Sequence, residues 1–164
     1  MAAKTRRGKI SAGLVMYRRH NNRLEVFLVH PGGPFFAKKD EGVWSIPKGE
    51  VEGKEELLKT AVREFTEETG IQPKGKFLPL DPIRQKNGKI VYAWAFEGDI
   101  DPQKPIKSNT FVLEWPPHSG QFQEFPEIDR GEFFDWEIAQ KKINPAQVPL
   151  IQQLKSNLDR KTFN

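Results

Sequence analysis

The 164-residue chain contains no cysteine. This absence excludes disulfide bonds, thiolate metal sites and a cysteine nucleophile, and it suits a reducing compartment. The sequence also has no apolar run long enough to act as a signal peptide or to cross a membrane. We therefore expect a soluble, cytoplasmic protein with no membrane partner.

Internal repeats and low-complexity linkers are also missing from the sequence. A length of 164 residues suits one domain, which we place over residues 1–164 with a core at about residues 9–155. Apolar residues make up 37% of the chain and include twelve Phe and four Trp, enough to build a hydrophobic core.

The net charge is only +4, which is compatible with an anionic substrate but too small to indicate nucleic-acid binding. Basic residues cluster at the two ends of the chain, in residues 4–9 ("KTRRGK") and 160–164 ("RKTFN"). Solvated tails are the favoured interpretation of both clusters, and RNA binding is the alternative.

Hydrophobic patterning predicts an α+β fold in which helices pack on a mixed sheet. Gly70 is a suitable left-handed cap for the end of the clearest helix. The predicted strands are residues 9–19, 23–31, 43–49, 76–85, 89–99 and 109–117, and a further strand leads into a helix within residues 131–143. The other predicted helices are residues 55–69 and 144–161.

Seven glutamates fall within the 23 residues from Gly49 to Ile71, and three of them lie close together on the predicted helix. At about 100° per residue, Glu68 falls inside the apolar stripe of this helix, with Glu64 on its margin and Glu67 just outside. Because these residues are spaced i, i+3 and i+4, their carboxylates can converge. A buried carboxylate is costly unless it is paired or binds a cation, so the pattern predicts a site for Mg²⁺ or Mn²⁺.

The same segment resembles the Nudix box in full. Gly49 is followed after five residues by Glu55, and after seven more by "REFTEETGI" (residues 63–71). The match fixes many positions over 23 residues and is therefore highly specific. It implies a Nudix hydrolase: an α/β/α sandwich with a loop-helix-loop catalytic motif, which cleaves a nucleoside diphosphate linked to another group with Mg²⁺ or Mn²⁺.

The resemblance implies roles for individual residues of the motif. The metal ligands would be the carboxylates of Glu64, Glu67 and Glu68 and the carbonyl oxygen of Gly49. The residues that support the motif structurally would be Glu55, Arg63 and Gly70.

Two residues outside the motif are further candidates. Lys48 would bind a phosphate oxygen, or it is an ordinary surface lysine. Glu127 would be a further ligand or the general base, and it is favoured over Glu124; the alternative is that both are surface acids.

The substrate is less well defined by the sequence. The Pro-Lys-Gly sequence at residues 47–49 resembles diadenosine tetraphosphate hydrolases, although many of these have His where this chain has Glu50. With only two tyrosines, no tyrosine pair can be assigned to clamp an adenine. We expect a dinucleoside polyphosphate or a nucleoside triphosphate. An RNA 5′ end and a non-catalytic nucleotide-binding module are the alternatives.

Residues 114–134 are the expected specificity loop. Trp115, Phe122 and Phe125 are candidates to stack on a base, and His118 to contact phosphate, but Phe122 and Phe125 are better explained as structural anchors. Asn144 could read a purine, although its position before a proline is fully explained as a helix N-cap.

Overall fold

The computed structural model describes residues 9–162. Its strands are β1 (Ile10–His20), β2 (Arg23–Pro31), β3 (Lys48–Glu50), β4 (Leu78–Pro79), β5 (Ile83–Arg84), β6 (Ile90–Glu97), β7 (Thr110–Glu114), β8 (Phe122–Pro126) and β9 (Ile128–Asp135). Its α-helices are α1 (Leu57–Thr69), α2 (Trp136–Lys142) and α3 (Val148–Thr162), and a 3₁₀ turn at Pro145–Gln147 precedes α3.

Within the described range, seven strands form one mixed sheet and two form a separate hairpin. The main path of the large sheet is β4-β6-β1-β2-β9, with β3 paired to β1 and β5 paired to β6. The β1–β6 pair is parallel, whereas β1 runs antiparallel to β2 and β3. The short strand β3 is important for the site because it joins the sheet to the segment that leads into α1.

Helices cover both faces of this sheet. Successive side chains of β1 and β6 point to opposite faces and are buried on both, so each face needs a covering layer. On one face, Ala61 and Phe65 of α1 pack against a cluster that includes Leu14 of β1 and Phe27 of β2. On the other face, α2 and α3 pack against a cluster that includes Val15. This α/β/α arrangement confirms the predicted fold class.

The acidic helix agrees closely with the sequence prediction. It runs from Leu57 to Thr69, and Gly70 caps it in the left-handed region at φ 77°, with its N–H donating to the Thr66 carbonyl. Residues 144–161 differ slightly from the prediction, because a 3₁₀ turn precedes α3. Asn144 caps this turn by accepting a hydrogen bond from the Ala146 N–H at 3.0 Å, as the cap interpretation predicted.

The strands predicted at residues 76–85 and 43–49 are shorter than expected. Within residues 76–85 only β4 and β5 are extended, because two prolines interrupt this segment. Trp44 and Ser45 form isolated bridges, and the regular strand starts only at Lys48.

Part of the region expected to be a specificity loop forms a hairpin with the strand predicted at residues 109–117. β7 and β8 pair in antiparallel register, with Phe111 opposite Phe125. The sequence did not predict β8, because Phe122 and Phe125 are three residues apart and lack the alternation that marks a half-buried strand. The role of this region in specificity stays a prediction.

Candidate active site

Close packing of β3 against α1 brings the acidic helix to the edge of the sheet. Gly49 pairs with Ala12 of β1. A side chain at Gly49 would overlap the carboxylate of Glu64. The lack of a side chain at Gly49 makes the room that Glu64 occupies.

Glu68 is the most buried carboxylate of the site. Only 8% of the residue is exposed, and the Lys48 backbone N–H donates to its Oε2 at 3.3 Å. Burial, reinforced by the negative charge of Glu64, raises the pKa of Glu68 to about 8. The structure thus places Glu68 in the apolar stripe, as the helical periodicity predicted.

Glu64 lies between Glu68 and Arg63. Burial raises the pKa of Glu64, and the positive charge of Arg63 opposes this effect. The Arg63 Nη1 donates to Glu64 Oε1 at 3.0 Å and also to the Glu67 carboxylate, at 3.2 Å to Oε2. Arg63 therefore holds two of the three motif carboxylates.

Glu55 orients Arg63 through a two-point contact. The Arg63 Nε and Nη2 donate to the two oxygens of Glu55, each at 3.0 Å. The hydroxyl of Thr60 donates to Glu55 Oε1 at 2.6 Å. The Arg63 and Thr60 hydrogen bonds lower the pKa of Glu55 to about 2, so this carboxylate stays ionised at neutral pH. This geometry suits the supporting role expected for Glu55 and Arg63.

Lys48 is a partly buried cation next to the carboxylates. Its pKa is lowered by burial and by the charge of Lys89, whereas Glu68, Glu50 and Glu64 oppose this change. Lys89 in turn forms a 2.8 Å ion pair with Glu50. Nothing in the sequence indicated that Lys89 would lie here, because the ion pair joins residues 39 positions apart.

Glu127 also lies near the site, and main-chain hydrogen bonds fix its position. Its N–H donates to the Asn109 carbonyl, and its own carbonyl accepts from the Gly32 N–H, both at 2.8 Å. The charge of Glu127 contributes to raising the pKa of both Glu64 and Glu68.

Glu124 differs from Glu127 in its surroundings. It is exposed on β8, opposite Val112, and does not figure among the charges that perturb the buried carboxylates. The structure thus brings Glu127 to the acidic helix and leaves Glu124 on the hairpin.

Asn109 is a residue of the site that the sequence did not reveal. Its N–H donates to the carbonyl of Glu67 at 3.0 Å, while its carbonyl accepts from Glu127. The main chain of Asn109 therefore joins the end of α1 to Glu127. These hydrogen bonds join backbone atoms of residues that are far apart in the sequence, so no pattern of side chains predicts them.

The carboxylates do not all meet at one point. Over residues 9–162, no three Asp, Glu, His or Cys side chains are grouped closely enough to hold a metal ion. Arg63 binds Glu64 and Glu67 instead. The side chains nevertheless suit a hard divalent cation, because such cations prefer carboxylate oxygens as ligands. Among residues 9–162, no cationic side chain forms a hydrogen bond with the buried Glu68.

The aromatic residues of the hairpin are placed differently from one another. The ring of Trp115 meets Phe35 edge-on at 5.4 Å, and Phe125 lies 6.0 Å from Phe111. Phe122 is 67% exposed. Trp115 thus packs against the loop that follows β2, Phe125 packs within the hairpin, and Phe122 alone of the three candidates is largely exposed.

A mixed sheet with helices on both faces, one of which carries the motif glutamates, is the architecture that the resemblance implied. A family model described as the NUDIX domain matches residues 8–154, and the chain belongs to this family. It is accordingly a pyrophosphohydrolase, as the motif predicted.

Similar proteins of known name support this assignment. The chain is 32% identical over 120 residues to the asymmetrical bis(5′-nucleosyl)-tetraphosphatase of Rattus norvegicus, covering 64% of this chain and 76% of the rat protein.

Two solved structures share the fold. The C. elegans Ap4A hydrolase binary complex has a TM-score of 0.64 and 22% identity, over 92% of this chain and 97% of that one. The NUDIX domain of Shewanella oneidensis NrtR with ADP ribose has a TM-score of 0.62 and 18% identity, over 91% and 87%.

Other predictions fall outside what the structure describes. The basic cluster at residues 4–9 lies outside the described residues except for Lys9, and the cluster at residues 160–164 is described only to residue 162. Of the helices described, none is long and apolar enough to cross a membrane.

Proposed function

We propose that the chain hydrolyses a phosphoanhydride bond of a dinucleoside polyphosphate, with a nucleoside triphosphate as the second substrate class. The buried Glu68, with its pKa raised to about 8 beside Glu64, is the observation that carries the proposal. Such a carboxylate is unfavourable in the protein alone and becomes favourable when a divalent cation binds. The name of the rat relative supports the dinucleoside substrate.

Four residues of the site would bind the metal ion. Glu64, Glu67 and Glu68, with the Gly49 carbonyl, would hold Mg²⁺ or Mn²⁺, the metals that the family generally uses. The metal supplies charge neutralisation for the phosphates and acidifies water. Arg63 must release at least part of its hold on Glu64 and Glu67 for these oxygens to turn toward a cation.

Lys48 and Glu127 would act on the substrate side of the carboxylates. The backbone N–H of Lys48 donates to Glu68, and its partly buried ammonium group lies near Glu50 and Glu64. This position next to the carboxylates supports a role for Lys48 in binding a phosphate oxygen. Glu127 would serve as a further ligand or as the general base that accepts a proton from the attacking water.

A cavity of about 660 Å³ next to Lys89 would accept one nucleoside. It lies between residues 84–87 and 144–146. Gln85 and Asn87 line this cavity together with Asn144, so polar side chains surround it. Such a lining suits a ligand with hydrogen-bonding edges, such as a nucleobase.

A substrate panel tests the proposal. Purified protein with Mg²⁺ or Mn²⁺ is incubated with diadenosine tetraphosphate, ATP, GTP, ADP-ribose and 5′-triphosphorylated RNA in ¹⁸O-labelled water, and products are separated by chromatography. We expect turnover of the dinucleotide or a nucleoside triphosphate, with ¹⁸O identifying the attacked phosphorus. Activity on RNA alone would contradict the proposal, and so would no activity on any of the five.

A further inference from the structure

A second cavity, of about 780 Å³, lies along the outer face of α1 and shares Arg63 and Glu67 with the acidic site. We call it the helix cavity. Its lining combines an apolar wall, two cations, two carboxylates, a threonine and two carboxamides: Leu58 and Val62, Lys59 and Arg63, Glu56 and Glu67, Thr66, and Gln72 and Asn109.

The carboxamides of the helix cavity are free to bind a ligand. In the described part of the chain, the side chains of Gln72 and Asn109 make no hydrogen bond, and both residues are exposed. The apolar wall is held in place, because Leu58 and Val62 also pack against the hydrophobic core. Apolar surface edged by amide donors and acceptors suits the face and edges of a nucleobase.

Glu50 links residues of the two cavities. Its carbonyl accepts from Arg63 Nη2 at 3.4 Å, and its side chain pairs with Lys89, whose carbonyl accepts from the Gln85 N–H of the second cavity. The carboxylates of α1 lie beside this residue, since Arg63 also holds Glu64 and Glu67. A molecule with a nucleoside at each end and phosphates in the middle matches this order of cavity, acidic site and cavity.

We propose that the helix cavity binds the second nucleoside of a dinucleoside polyphosphate, an inference that rests on the proposed function. Gln72 and Asn109 would bind the base edge or the ribose hydroxyls. Lys59 would contact the phosphate that leads to this nucleoside. The helix cavity would therefore contribute to binding of substrates with two nucleosides and not to those with one.

A pair of substrates isolates this contribution. Diadenosine tetraphosphate and adenosine 5′-tetraphosphate have the same phosphate chain, but only the first has a second nucleoside. The variant Gln72→Trp fills the helix cavity from an exposed loop position, and Gln152→Trp makes the same chemical change at an exposed position of α3. Steady-state kcat/KM is measured for both substrates with each protein.

We expect Gln72→Trp to lower kcat/KM for diadenosine tetraphosphate by about tenfold, the scale of a lost pocket contact, and to leave the value for adenosine 5′-tetraphosphate unchanged. Gln152→Trp should change neither value. Equal changes on both substrates, or no change on either, would overturn the inference.

A second variant separates other causes. Gln72→Ala removes a carboxamide of the helix cavity without adding bulk, and it should show the same selective loss if Gln72→Trp fails to fold, as judged by circular dichroism. If the wild-type protein hydrolyses neither tetraphosphate nor a nucleoside triphosphate, the proposed function itself fails. If it hydrolyses both and the variants do not discriminate, only the helix cavity assignment fails.

Discussion

Individual carboxylates of the site have opposite surroundings although they belong to one helix and its preceding loop. Glu55 accepts hydrogen bonds from Arg63 and Thr60, and its pKa falls to about 2. Glu68 is buried beside Glu64, and its pKa rises to about 8. The first arrangement stabilises the folded chain, whereas the second costs stability that a bound cation can restore.

Glu68→Gln should therefore reduce turnover strongly while the fold is retained. The amide is neutral and nearly the same size, but it is a weak ligand for Mg²⁺, so we expect kcat to fall by about 10²-fold or more. Glu55→Gln should cost less activity, because Glu55 acts through Arg63, but more stability, about 1–3 kcal/mol from its hydrogen bonds to a charged partner. Activity assays and urea unfolding measure both effects.

Glu41→Gln is a matched control for these substitutions, since Glu41 is an exposed residue away from the acidic helix. It should leave turnover and stability unchanged. Near-normal turnover in Glu68→Gln would show that the metal assignment is wrong.

The raised pKa of Glu68 also predicts a pH dependence of stability in the metal-free protein. Because the folded-state pKa of about 8 lies above the unfolded value of about 4.5, the folded state binds a proton more tightly, and this stability is lost as pH rises from about 5 through 8. Thermal unfolding in EDTA at pH 5.5 and 8.5 should show a smaller decline in Glu68→Gln than in the wild type. An equal decline in both proteins would contradict the assignment.

Among the elements, the β7–β8 hairpin gives the clearest separation between packed and exposed aromatics. Phe125 lies against Phe111, whereas Phe122 is 67% exposed. We expect Phe125→Ala to lower the free energy of unfolding by about 1–2 kcal/mol, and Phe122→Ala to change it by less than about 0.5 kcal/mol. Chemical unfolding of the two variants side by side would test this, and the reverse order would contradict the observed register.

The elements also show how far local sequence rules reach. The boundaries of α1, its cap at Gly70 and the burial of Glu68 follow from helical periodicity and from the left-handed preference of glycine, both of which act over a few residues. Strand β8 was not predicted, because Phe122 and Phe125 point to opposite faces of the hairpin. The contacts of Asn109 were beyond prediction because they join backbone atoms of distant segments.

For the whole molecule, metal binding and folding should be linked. If Mg²⁺ binds only the folded chain, a concentration 100 times its Kd adds about 2.7 kcal/mol to the free energy of unfolding. For a protein of this size, that is roughly 5–10 °C in Tm. We expect this rise in the wild type and in Glu41→Gln, and little of it in Glu68→Gln. An equal rise in all three proteins would place the bound metal elsewhere.

The whole chain should also unfold in one cooperative transition, because a single domain is predicted and the two core clusters lie on opposite faces of the same sheet. Calorimetry with and without Mg²⁺ would show this as one peak that moves. Two peaks would mean that the helices on the two faces unfold separately.

The backbone of Asn109 separates two properties that usually change together in an enzyme. Its N–H and carbonyl join α1 to Glu127, and the same residue also lines the helix cavity. We expect substitutions that keep the backbone N–H to change the lining of that cavity without moving the acids apart. Proline, which lacks that N–H, would remove the hydrogen bond to the Glu67 carbonyl, so selectivity could diverge at this position through any other residue while the chemistry is preserved.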